Sequence, residues 1–248
     1  DIPRDVCYLN AASWSPLPKA VQAAGHQGVD RKLRPWEVDP ALAGQQHERT
    51  RAAAAALIGA VPEDVALIPS VSYGVAVAGK LFSPAPGSRV LLIEDDHSSP
   101  VLEWMTRAAE QGFTVEVVRR PTNGDWPSAV LEAIARPGAA PISLASISSV
   151  HWADGGKIDI AAIGPALRRQ GAALLVDATH GAGVTPIDVK TLDPDFLIFP
   201  TYKWVLGPYG RAFMYIAKRQ QEGIPLEQTG FGRRAIASEA APYLKDTS

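Results

Sequence analysis

Seven short apolar runs, near positions 65, 90, 115, 143, 174, 197 and 214, recur along the chain, with stretches of helical character between most of them. Short apolar runs bounded by turn residues mark strands buried on both faces, and intervening helices supply the crossovers that parallel strands need. The alternation predicts an α/β fold: one doubly wound, mostly parallel seven-stranded sheet with helices on both faces. At 248 residues the chain is long enough to give such a domain a substantial core.

Two of the runs deliver charge at their ends. Residues 172–176 stop at Asp177, and residues 196–199 lead into Pro200, Thr201, Tyr202 and Lys203. Open parallel sheets bind ligands outside the carboxyl ends of their strands, so a lone acid and a lone lysine placed there define a candidate site. A lysine amine can hold an aldehyde as a Schiff base. A carboxylate can keep a pyridine nitrogen protonated, so that the ring draws electrons from a substrate carbanion. The sequences Val-Asp-Ala-Thr-His at 176–180, Asp-Phe-Leu-Ile-Phe-Pro-Thr-Tyr-Lys at 195–203 and Gly-Pro-Tyr-Gly at 207–210 resemble the class V aminotransferase branch of fold-type I pyridoxal phosphate enzymes. That branch includes cysteine desulfurases, isopenicillin N epimerase-like proteins and, more distantly, kynureninases. The resemblance implies pyridoxal 5'-phosphate as cofactor, Lys203 as the Schiff-base lysine and Asp177 as the partner of the ring nitrogen. His180 stands where the family usually has a Gln beside the ring hydroxyl. A charged imidazole there would repel a protonated ring, so His180 is expected to be neutral.

Other segments fall into the same pattern. Residues 65–68 run into Pro69-Ser70-Val71-Ser72-Tyr73-Gly74, a strand-to-helix turn of small residues. Backbone N–H groups at such a helix start face an anion, with the helix dipole adding about half a positive charge. The family's phosphate loop sits at this point, so the resemblance assigns Ser70, Val71 and Ser72 to the phosphate, Val71 through its backbone; a plain serine cap is the alternative. After the strand at 89–93, a gap-free match to the family's Glu-His-His-x-Asn-x-x-x-Trp puts His97 in the ring-stacking place and Trp104 on the tryptophan. Asp95, Asp96 and His97 could be read as metal ligands, but nothing nearby completes a set, so no metal is expected. Ser149 stands where the family has an Asn near the ring hydroxyl, with shorter reach. His151 and Trp152 either face the substrate or cover the pocket's lip. Tyr202 occupies the place of a family His or Tyr that donates a hydrogen bond to the phosphate, and Pro200 replaces a common phosphate-binding Ser. Asn10 and Ala11, in a Tyr-Leu-Asn-Ala-Ala opening segment, are either substrate contacts or N-terminal packing.

The remaining expectations concern organisation and reaction. A long alanine-rich helix is expected over 40–58, with Arg49 and Arg51 exposed. Residues 1–15 are expected to lie near the site, 16–235 to form the cofactor-binding large domain, and 236–248 to begin a C-terminal region. Family members run on through a small C-terminal domain carrying the arginine that grips the substrate carboxylate, which this chain would lack. Gly230-Phe231-Gly232 resembles the segment that crosses toward a partner subunit, which implies a homodimer. A net charge of −2 with mixed signs gives no footprint for nucleic acid. No apolar run approaches the ~20 residues that span a bilayer. The single Cys7 precludes an internal disulfide. With no secretory signal, a cytoplasmic location is expected. The residues favour an enzyme acting at the alpha-amino group of a small amino acid or amine, as aminotransferase or lyase. An epimerase or a cysteine desulfurase of the same fold, or a non-catalytic α/β binding module, are the alternatives. A nicotinamide enzyme is disfavoured because no Gly-x-Gly-x-x-Gly follows an early strand.

Overall fold

The computed structural model describes residues 2–227. The Gly230-Phe231-Gly232 segment and residues 236–248 lie outside the described residues. Helices α1 (Lys19–Asp30) and α2 (Leu42–Leu57) precede β1 (Val65–Ile68), α3 (Val71–Leu81), β2 (Arg89–Ile93), α4 (Ser98–Gln111) and β3 (Thr114–Val118). Then come α5 (Trp126–Ala135), β4 (Ile142–Ser148), α6 (Ile160–Arg169), β5 (Ala173–Asp177), the one-turn α7 (Val189–Leu192), β6 (Phe196–Pro200) and β7 (Ala212–Ile216). The strands form one sheet in the order β1-β7-β6-β5-β4-β2-β3. β2 through β6 run parallel, while β7 is antiparallel to both β6 and β1.

Alternation along each strand divides the core into two layers. Leu91, Ile93, Ala145, Ile147, Leu174, Val176, Leu197 and Phe199 point to one face, where they meet Ala54 and Ala55 of α2, Val130 of α5 and Ile163 of α6. Val90, Leu92, Leu144, Leu175, Phe196 and Ile198 point to the other, against Val75 and Ala78 of α3 and Trp104 of α4. The helices read as the pattern demands. α6 begins at Asp159, whose carboxylate accepts from the Ala162 N–H at 3.3 Å, and then buries Ile160, Ile163 and Leu167 on one stripe. α3 begins at Ser70 in the same way, with Oγ accepting from Tyr73 N at 3.1 Å. It packs so closely on the sheet that a Cβ at Gly74 would lie 2.8 Å from Ile68 Cδ1 and 3.0 Å from Ile198 Cδ1. Only glycine lets the first turn of α3 sit that low over β1 and β6.

Two boundaries are set locally, and the burial of Arg51 differs from the exposure expected of it. Pro18 caps α1 from outside the first turn. The third strand starts at Thr114 because Gly112, at φ 76°, closes α4 in a left-handed turn. Arg51 is half-buried: its Nε donates to the Val65 carbonyl at 2.7 Å and ties α2 to the edge strand.

Candidate functional site

Asp177 is the last residue of β5, and its register partner on β4 is Ser148. By alternation both side chains fall on the face covered by α3 and α4. The Asp177 carboxylate is 2% exposed, and its Oδ1 accepts from Thr179 N at 2.9 Å. Burial raises its pKa to about 6; the hydrogen bond from Thr179 opposes this, the charge of Asp96 adds to it and Lys203 offsets part. No basic side chain forms an ion pair with it among the described residues. Lys203, in the loop after β6, is 8% exposed, with Nζ 3.0 Å from His180 Nε2. Burial holds the lysine below its ordinary range and Asp177 pulls it back up. His180 is pushed down to about 4 by burial and by the charges of Lys203, His97 and His151, so the ring is neutral near pH 7. A lysine donates and does not accept, so Nε2 accepts and the ring proton sits on Nδ1. A close glycine contact sets the lysine loop: Gly183, at φ 95°, leaves its missing Cβ position 2.5 Å from Trp204 O. Any side chain there would push the loop away from β5.

His97 precedes α4, its N–H donating to Asp96 Oδ1 at 2.8 Å. Its imidazole is held below the ordinary range by burial and by the Lys203 charge, which places it in the same electrostatic cluster as Lys203, His180 and Asp177. Trp152 stands edge-on to it, centroids 6.1 Å apart, with Nε1 donating to Asp95 O at 2.6 Å. Trp152 is half-exposed. His151 turns the other way: it is fully buried, stacked on Trp126 at 5.2 Å, with Nε2 3.0 Å from Glu94 O and Nδ1 3.2 Å from Asp154 Oδ1. It faces neither substrate nor lip, because Trp126 offers a stacking surface and two acceptors wait inside.

Ser70 spends its hydroxyl as a helix cap, which leaves its backbone and the N–H groups of Val71 and Ser72 to face an anion. Ser72 Oγ lies 3.0 Å from Ser99 Oγ, so the N-termini of α3 and α4 meet and their positive ends converge. Ser99 was not singled out from sequence; its signal is a hydroxyl pair opening a second helix beside the first. Tyr202 stacks on Tyr209 at 4.0 Å, and Lys203 Nζ lies 5.9 Å from the Tyr202 ring centroid. The carboxylate of Asp177 raises the Tyr202 phenol, though burial and Tyr209 contribute more, so this ring too belongs to the cluster. The opening segment reaches the rim through Trp14, 4.7 Å from Tyr209, and Ser15, whose Oγ donates to Tyr202 O at 2.9 Å. Asn10 closes a turn with its carbonyl, accepting from Ser13 N and Trp14 N at 3.1 Å, and Ala11 follows half-buried in that turn.

Three observations test whether these residues suit pyridoxal phosphate. Asp177 is a buried carboxylate that lacks a cation and can receive a ring N–H. Lys203 is a buried amine beside a neutral acceptor. The Ser149 hydroxyl is buried without a hydrogen-bond partner among the described residues, although its backbone N–H donates to Asp177 O at 2.9 Å and its Oγ borders Gly181. An orphaned hydroxyl beside the His180 turn is where a ring hydroxyl could be met. The donor set fits the group.

Comparison with known proteins agrees. The pattern described as aminotransferase class-V matches residues 8–242. Over 182 residues the chain is 33% identical to an uncharacterized aminotransferase, YcbU, of Bacillus subtilis (strain 168), covering 73% of this chain and 47% of that protein. It is 28% identical over 244 residues to an isopenicillin N epimerase of Amycolatopsis lactamdurans, which amounts to 92% of this chain and 58% of the epimerase. In three dimensions it is similar to the apo cysteine desulfurase of Thermococcus onnurineus NA1, with a TM-score of 0.73 at 24% identity, covering 87% of this chain and 54% of that one. The chain thus spans about half the length of the proteins it matches.

Proposed function

The chain belongs to the aminotransferase class V family of pyridoxal 5'-phosphate enzymes, and we propose that it is the large domain of one that acts at the alpha-amino group of a small amino acid or amine. The observation that carries this reading is the convergence of two buried ionisable groups at neighbouring strand ends: Asp177, which forms no ion pair among the described residues, and Lys203, beside a neutral histidine. Burying a lone carboxylate is costly unless a partner arrives. A module without chemistry has no use for it.

Each residue then has a task. The carboxylate of Asp177 would accept the ring N–H. His97 would stack on the ring. His180 and Ser149 would meet the ring hydroxyl. The backbone at Ser70, Val71 and Ser72 would hold the phosphate, assisted by Tyr202. Pyridoxal phosphate, when bound, supplies an aldehyde for amines and a ring that accepts electrons from the substrate's alpha carbon. Lys203 Nζ takes up the alpha proton and returns it, a role suited to an amine that burial has made less basic. Asn10 and Ala11, in the turn that leads into Trp14 and Ser15, are assigned to the substrate.

Aminotransfer or lyase chemistry is the reaction proposed. Epimerisation and desulfuration share its first step and are separated by products. A cytoplasmic homodimer is the proposed state. It is supported by α1, which has no buried residue, and by the neighbouring Leu33 and Trp36, 74% and 79% exposed, which a second chain would cover. Among the described residues no helix is long and apolar enough to cross a membrane.

The deciding experiment is spectroscopic. The purified full-length protein should carry a visible absorbance band, fixed to the chain by borohydride as a mass addition at Lys203. Lys203→Ala should lose both band and adduct. A colourless wild-type protein that takes up no added pyridoxal phosphate rejects the reading. Incubation with single amino acids, scored for keto acid, racemised substrate and sulfide, separates the reactions.

A further inference from the structure

One carboxylate of the acidic turn between β2 and α4 points inward. Asp96 Oδ1 accepts from Ser148 Oγ at 2.6 Å and from His97 N at 2.8 Å, and Oδ2 lies 3.3 Å from Ser148 N. Ser148 is the register partner of Asp177 across β4 and β5. One side chain therefore grips two places: the backbone that presents His97, and the strand end beside the proposed ring-nitrogen partner. The turn is also held from outside. Asp95, at φ 56°, accepts from Trp152 Nε1 through its carbonyl and pairs with Arg120 at 3.4 Å, while Glu94 accepts from Arg120 N at 2.8 Å. These contacts fix the rim, the Glu94 N–H donates to Val118 O of β3 at 2.9 Å, and the Asp96 carboxylate ties the turn to the end of β4.

We propose that Asp96 is a positioning residue for the bound cofactor: it sets the height of His97 over the ring and adds a second negative charge beneath it, next to Asp177. The inference rests on the cofactor reading above. Burial raises the carboxyl of Asp96 against the hydrogen bonds from Ser148 and His97, and its charge is felt at Asp177 and at His97. The titratable groups facing it are His97 on its own turn, His151 from the loop after β4 and Asp177 from β5. A second carboxylate beside Asp177, when ionised, would strengthen the hold of a bound ring on its proton, because each negative charge favours positive charge near it. Removing the second should lower the pH at which the bound cofactor's visible band changes form.

The test compares full-length wild type, Asp96→Asn and Ser148→Ala, each loaded with pyridoxal phosphate. Three properties are read: cofactor affinity, the pH midpoint of the visible band and the circular dichroism of that band, which reports ring tilt. Asp96→Asn keeps the shape, loses the charge and sets an N–H₂ against one of the N–H donors. It should weaken cofactor binding by roughly 10- to 100-fold and lower the midpoint by about one pH unit. Ser148→Ala keeps the carboxylate, so it should alter the visible dichroism without lowering the midpoint. If Asp96→Asn weakens binding but leaves midpoint and dichroism at wild-type values, the carboxylate only braces the fold and the proposal fails. Should Asp96→Asn not fold, Ser148→Ala decides: altered visible dichroism at an unchanged melting temperature supports the proposal, and unchanged dichroism overturns it. A wild-type protein with no band removes the cofactor reading and this inference together, whereas a normal wild-type band with indifferent variants removes this inference alone.

Discussion

Asp177→Asn should stabilise the cofactor-free protein, and by an amount that depends on pH. In the fold Asp177 keeps its proton up to about pH 6, while an unfolded aspartate releases it near 3.8. Between those values the folded chain binds more protons than the unfolded one, so stability falls as pH rises through the window and the full penalty stands above about 6. A gap of about two pH units corresponds to about 3 kcal/mol at pH 7.5, of which about 1 kcal/mol has developed at pH 4.5. The amide of Asn carries its own cost in the buried pocket, but that cost is the same at both pH values. Urea melts of wild type and variant at pH 4.5 and 7.5, without cofactor, should therefore give a stability difference that shifts by about 2 kcal/mol in favour of Asn at the higher pH. Other titrating groups contribute equally to both proteins and cancel. Added pyridoxal phosphate should reverse the order at pH 7.5, since a cationic ring nitrogen stabilises only the chain that retains its carboxylate. A stability difference that is constant between the two pH values, to within about 0.5 kcal/mol, would refute the claim that the buried carboxylate stands ionised and uncompensated before the cofactor arrives.

Two further substitutions probe how the site is held. Gly183→Ala must relieve a Cβ contact of 2.5 Å to Trp204 O at a φ of 95°, so it should cost about 1–3 kcal/mol in a thermal melt and also impair the visible band, because the strain moves the lysine loop. Arg219→Ala removes the Nε that donates to Asp195 at 2.7 Å and leaves a carboxylate, 1% exposed, with Leu174 N, Gln220 and the more distant Arg168. About 2–3 kcal/mol should be lost at pH 7. Hydrogen bonds from Arg219, Gln220 and Leu174, acting against burial, hold the Asp195 carboxyl below its ordinary range. The stability it contributes is present above the unfolded pKa and is lost as pH falls through the folded one, so the penalty should shrink in melts run at strongly acid pH.

The two charged strand ends were legible because a buried strand that stops on Asp or leads to Lys has no packing reason to do so. Strand β2 was legible to the residue, since Arg89–Ile93 is an unbroken apolar run after one cation. Sheet order was not: periodicity says which residues are buried but not which strands are neighbours, and only the family resemblance implied that the last strand runs backwards. Asp96 entered only as a rejected metal ligand, because nothing in three consecutive acids shows which one turns inward, and its hydroxyl partner lies on a strand far away in sequence. His151 was misplaced for the opposite reason. Its position after the end of β4 suggested the pocket, but Trp126, Glu94 and Asp154 draw the imidazole inward. Gly183 gave no signal, since a glycine required by a distant carbonyl looks like any loop glycine.

The antiparallel pairing of β1 with β7, Val65 opposite Tyr215, has a kinetic corollary. Among the described residues β1 sits at the sheet's edge and hydrogen-bonds to no strand but β7, so during synthesis it waits for some 150 residues of chain before its partner leaves the ribosome. The serine-bearing turn at its end cannot be anchored sooner. Capture of the vitamin-derived ligand must therefore wait for β7, and a pulse of newly made chains should become coloured only after translation has passed residue 216.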